Sequence, residues 1–137
     1  MGTSTNGILF YGFPVNEDDK NQEILSGADE HGDYNDDEFD LDVLWAEKFG
    51  LDPKNHGEIW KHQQHYPVKI GFHCSDSYPM HYVAVRKSEV VSNRGYPKRV
   101  KALEVDPAWD KQIKDFCTKF GLKPPKEFGW WVASDMG

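Results

Sequence analysis

VKIGFHCSDSYPMHYVAV, residues 68–85, decides the fold class. Its arms, VKIGFH (68–73) and MHYVAV (80–85), are short, apolar and rich in β-branched and aromatic side chains, which suit a pleated surface. CSDSYP between them supplies the Ser, Asp and Pro of a chain reversal. The stretch therefore predicts an antiparallel hairpin. Upstream, GILFYGFPV (7–15) reads as a buried first strand with a kink or bulge at Gly12. Pro14 ends that strand or places it at an edge, because it has no N–H for a ladder. Downstream, FGWWVAS (128–134) reads as a last strand, in which Trp130 and Trp131 must point to opposite faces. Residues 88–96 predict either an exposed loop or an edge strand at Val90 and Val91 that runs into a turn, with Gly95 at positive φ.

Helical signals fill the remainder. Over 106–122, Asp106 is placed as a cap, Pro107 at the first helical position and Gly121 as the stop. Trp109, Ile113, Phe116, Cys117 and Phe120 make one apolar stripe, opposite Lys111, Lys114, Asp115 and Lys119. DLDVLWAEKF (40–49) spaces Leu41, Leu44, Trp45 and Phe49 at helical intervals behind Asp40, and Gly50 ends it. Asp52-Pro53 marks a second start, leading into a short, irregular helix over 54–65. Residues 16–38 have only Ile24 and Leu25 as aliphatic anchors larger than Ala, so they predict a long acidic excursion with one turn of structure near 23–25. Strand, helices, strand, strand, helix, strand is an α+β order. The expectation is a single domain over 1–137, with a mainly antiparallel sheet of about four strands, two to three helices, and the acidic excursion after the first strand.

Charge is segregated along the chain. The net is −7, yet residues 16–42 hold twelve acids and one base, Lys20, for a net of −11. Residues 86–101 hold six bases and one acid, for a net of +5. A field of one sign steers association with a partner of the other. The overall acidity argues against direct nucleic-acid binding, which needs a dominant basic field. No apolar run approaches the about 18–20 residues of a membrane span. The N-terminal MGTSTNGILFYGF lacks the features of a signal peptide, and Cys74 and Cys117 are too few for a disulfide scaffold. These features predict a cytoplasmic protein without a membrane partner.

Residue chemistry offers weak candidates. His62, His65, His73 and Cys74 provide zinc-type donors, but no Cys-x-x-Cys or His-Glu-x-x-His spacing accompanies them, so neither metal nor cofactor is expected. Cys74 catalysis needs a histidine and an orienting acid. His81 from the facing strand and Asp76 are the residues in place for those roles, and His73 and His81 are positioned to face each other across the hairpin. Ser75, Asp76 and Tyr78 in the turn, with Arg94 and Tyr96 beyond it, offer hydroxyls, amides, a guanidinium and a stacking ring to a small anion or base. No phosphate loop or dinucleotide fingerprint is present.

STNGILFYGF (4–13), HCSDSYPMHYVAV (73–85), NRGYPK (93–98) and GWWVASDMG (129–137) stand in this order. Together they resemble a family of small, uncharacterised bacteriophage proteins over nearly the whole chain, which differ most in the acidic segment. The resemblance implies a phage gene product in the host bacterial cytoplasm, dispensable for capsid structure. With the charge pattern, it sets the leading expectation: a non-enzymatic accessory protein that inhibits a nucleic-acid-handling bacterial defence complex, of CRISPR effector or restriction enzyme type. Asp33, Asp36, Asp37, Glu38, Asp40 and Asp42 would imitate a phosphate backbone. The alternative is a protein that binds or sequesters a small ligand or nucleotide signal through Ser75, Asp76, Tyr78, Arg94 and Tyr96.

Overall fold

The computed structural model describes residues 5–15, 20–26, 40–75, 79–100 and 102–136. In chain order they form β1 (Thr5–Pro14), α1 (Lys20–Ser26), α2 (Leu41–Phe49), α3 (His56–His65), β2 (Val68–Ser75), β3 (Pro79–Val85), a 3-10 turn (Arg86–Ser88), β4 (Val90–Ser92), α4 (Trp109–Phe120) and β5 (Gly129–Met136). The architecture is α+β with one mainly antiparallel sheet. It has one strand and one α-helix more than the sequence predicted.

The hairpin forms with Val68 opposite Val85 and Cys74 opposite Pro79. The sheet order is β3-β2-β5-β1-β4, and β3 also pairs with β1. The four strands β1, β5, β2 and β3 therefore close into a ring. β1 is its hub. One edge of β1 pairs with β5 from Thr5 to Gly12. The other edge takes β4 at Gly7–Leu9 and then β3 at Gly12–Pro14. Between those two ladders a side chain replaces a strand: the buried Ser88 Oγ accepts from Tyr11 N at 2.9 Å and donates to Val85 O at 2.6 Å. This satisfies a buried backbone donor that would otherwise lack a partner. Ring closure depends on Gly12, because a Cβ there would lie 1.9 Å from Val83 O.

Two apolar layers follow from strand alternation. Inside the ring lie Ile8, Phe10, Tyr82 and Ala84, with the Phe10 and Tyr82 rings stacked at 4.2 Å. Gly71 makes room for that stack, since a Cβ there would lie 2.1 Å from Tyr82 Cζ. Tyr82 Oη donates to Glu89, which also pairs with Lys69 at 2.8 Å. Burial and the Glu89 carboxylate raise the Tyr82 phenol well above its ordinary value. Outside the ring, Tyr11, Phe13, Val15, Val68, Val83 and Val85 meet the helices. The predicted stripe of α4 supplies Ile113, Phe116, Cys117 and Phe120, all fully buried. Burial pushes the Cys117 thiol up to about 12, so it serves as core rather than nucleophile. Trp45 of α2 joins this layer with its ring 5.6 Å from Phe116. Trp130 packs against the same core while Trp131 is 46% exposed, the division that strand alternation predicts.

Several boundaries move for local reasons. α2 starts behind Asp40, whose carboxylate accepts from Asp42 N at 2.9 Å, and ends at Gly50 with φ 70°. α3 starts behind Asn55 rather than Asp52-Pro53: Asn55 Oδ1 accepts from Glu58 N, while Asp52 caps only the preceding turn. α4 begins at Trp109, after a turn in which Asp106 Oδ1 accepts from Ala108 N and Asp106 O from Trp109 N. The structure expected near 23–25 is a helix of seven residues, α1. Leu25 is buried, and Asn21 exchanges two hydrogen bonds with the Lys123 backbone, at 2.7 and 2.8 Å. β4 realises the edge-strand reading of 88–96, followed by a turn in which Tyr96 N bonds Asn93 O and Gly95 has φ 82°.

Candidate functional site

A groove of about 520 Å³ lies where the N-terminus of α2, the C-terminus of α3 and the outer edge of β2 meet. Its size falls in the range of ligand sites, about 300–1,000 Å³. Trp45, Ile70, Phe72 and Leu41 line it with apolar surface, and Asp40, Asp42, Gln63, Gln64, Lys69 and Arg86 add polar groups. Consecutive strand residues point to opposite faces. A groove bordered by Lys69 together with Ile70 and Phe72 therefore follows the edge of β2 rather than one face. That edge is available. Among the described residues, β2 pairs with β5 only through Cys74 and Ser75, leaving 68–73 without a strand on that side.

The two cations of the groove are already engaged. Arg86 donates from Nη2 to Gln63 O at 2.6 Å and from Nε to Tyr66 O at 3.2 Å. It thereby satisfies carbonyls at the end of α3, which no further helical turn can reach. Lys69 is held by Glu89 at 2.8 Å. The two carboxylates are exposed: Asp40 caps α2, and Asp42 accepts from Gln63 Nε2 at 2.9 Å. Glu89 cancels Lys69, and Asp40 and Asp42 outnumber the remaining cation, Arg86, so the net charge at the groove is negative.

Of the acidic candidates, Asp40 and Asp42 stand together at this groove, whereas Asp33, Asp36, Asp37 and Glu38 lie outside the described residues. Of the ligand-loop candidates, Asp76 and Tyr78 lie outside the described residues, and Ser75 ends β2 opposite Met136. Arg94 and Tyr96 are exposed in the turn after β4 and do not line the groove. Sequence reading missed the groove, because its parts come from three separated segments and Arg86 looked like one member of a basic run.

Of the Cys74 constellation, Asp76 lies outside the described residues. His81 is opposite Phe72, and its Nδ1 lies 3.1 Å from Gln22 Oε1, to which it donates. His73 is opposite Met80, so the two histidines occupy opposite faces of the hairpin and do not face each other. Cys74 itself is half-buried with φ 82°, an unfavourable conformation for a residue with a Cβ. Among the zinc-type donors, His62 Nδ1 accepts from Trp45 Nε1 at 2.9 Å, and His65 Nδ1 lies 2.8 Å from Lys61 O. No group of three or more His, Cys, Asp or Glu among the described residues is placed to hold a metal. No described helix is long and apolar enough to cross a membrane.

Burial lowers the His81 imidazole to about 4, with neighbouring His73 adding to the effect. The unfolded chain takes up that proton near pH 6.5. Between those values the unfolded state binds more protons, so stability must fall as pH drops from about 6.5 towards 4. The loss expected from this group is on the order of 2 kcal/mol. Urea midpoints measured near pH 7 and near pH 5 should separate in the wild type and draw together in His81→Gln. An equal separation in both proteins would remove His81 as the cause.

No family model matches the chain, and no curated protein or solved structure is significantly similar to it.

Proposed function

We propose that this protein works by binding another protein, as a phage accessory factor that blocks a nucleic-acid-handling bacterial defence complex. The observation that carries the reading is the concentration of charge: a net of −11 over residues 16–42 in a chain whose remainder is mildly basic. Asp40 and Asp42 support it, since both are exposed at the end of that segment on a folded helix start. An array of carboxylates meets the lysines and arginines of a nucleic-acid channel as phosphates do. The attraction is long-ranged and screened beyond about 8–10 Å at physiological salt. It therefore speeds association and weakens steeply with added salt.

The test begins with capture of the tagged protein's partner from bacterial lysate, followed by titration at two salt concentrations. Neutralising Asp36, Asp37, Glu38 and Asp42 to Asn or Gln keeps the polarity and removes the field. Affinity is expected to fall more than tenfold, or over about 1.4 kcal/mol. The salt dependence should flatten with it. Unchanged affinity in the neutralised protein would overturn the reading.

A further inference from the structure

We infer that the groove beside β2 receives an extended segment of a second copy of this chain, residues 98–100 and 102–105, in a reciprocal two-fold dimer. Three features lead there. First, 68–73 of β2 present an edge with no strand partner among the described residues, bordered by the apolar surface of Trp45, Ile70 and Phe72. An unpaired edge beside an apolar groove accepts an extended chain through main-chain hydrogen bonds, and alternate side chains fill the groove.

Second, the chain carries a segment with the matching form. Every described residue from 93 to 108 is exposed, and none of them belongs to a strand or an α-helix. Three aliphatic side chains are left in solvent there: Val100 is 42% exposed, Leu103 52% and Val105 44%. Leu103 and Val105 fall on one side of an extended chain. Phe72, at 49% exposure, is their counterpart on the receiving side.

Third, the charges complement. Lys69 and Arg86 are engaged within their own chain, so the groove offers Asp40 and Asp42. The donor segment brings Lys98 and Arg99, which form no ion pair among the described residues. The basic end of the segment would meet the acidic rim while Leu103 and Val105 enter the apolar floor. One chain holds both donor and acceptor, so two copies related by a two-fold axis make the contact twice. This inference does not depend on the host-partner reading.

Sedimentation equilibrium of the full chain over a concentration series tests it. A reversible monomer–dimer equilibrium is expected. Leu103→Glu with Val105→Glu should weaken it more than tenfold without altering the thermal midpoint of the dilute monomer, because both side chains are already in solvent. Asp42→Lys alone and Arg99→Glu alone should each weaken the dimer, and the two together should recover most of the loss. A chain that stays monomeric throughout the series overturns the inference, as does a dimer indifferent to these variants. An added peptide of residues 96–106 should compete with the dimer for the groove, and a dimer that this peptide leaves unchanged also overturns the inference.

Discussion

Gly12→Ala is expected to lower stability by about 3 kcal/mol or more, at the upper end of the range for added volume in a packed site. The added methyl would lie 1.9 Å from Val83 O and 2.9 Å from Ala84 Cα, both backbone atoms of β3. No rotamer relieves such a clash. β1 and β3 must separate, which opens the ring at Gly12–Pro14 and exposes Phe10 and Tyr82 within it. Gly7→Ala is the control. It lies on the same strand with nothing within 4 Å of its Cβ position, and alanine there should leave stability unchanged or slightly raised through the unfolded state. Urea midpoints of the two variants check the contrast. Equal midpoints would mean that β1 and β3 do not close the ring.

Phe116→Ala should cost about 3–5 kcal/mol, as for other fully buried aromatics. The ring is wholly inaccessible, stacks on Phe120 at 5.2 Å and lies 5.6 Å from Trp45 and 5.8 Å from Tyr66. Removing it leaves a cavity where α4, α2 and the end of α3 meet, and rigid rings collapse into such a void poorly. The expected readout is a fall of about 1 M or more in the urea midpoint. A midpoint equal to wild type would show that α4 does not face the core.

Elements written as local patterns were legible in the sequence. The hairpin follows from two apolar arms and a turn, and α4 from its stripe and Gly121. Elements held by distant or polar contacts were not. α1 has few apolar residues, but Leu25 is buried and Asn21 bonds Lys123, more than a hundred positions away. No hydrophobic period records such a tie. The role of Ser88 as a substitute ladder partner for Tyr11 is equally silent in composition. Gly12 was read as a kink or bulge, although its clearest function is the close approach of β3, which appears only once the ring is drawn. For the site, the helical spacing behind Asp40 predicts its role as a cap, which it fills. The groove that Asp40 and Asp42 border depends on β5 diverging from β2, and pairing partners of that kind are set by tertiary geometry.

The longest ladder joins Thr5–Gly12 to Gly129–Met136, the first described strand to the last. On a ribosome adding about 5–20 residues each second, β1 emerges on the order of ten seconds before β5 exists. For that interval Phe10 and Tyr11 belong to a strand lacking its main partner, and the hairpin cannot close the ring alone. The nascent chain cannot complete its main ladder until β5 has emerged, and β1 keeps an aggregation-prone edge exposed until then. A chain shortened before residue 129 would keep that edge open indefinitely, so expression yield should drop sharply with the loss of the last strand rather than in proportion to length.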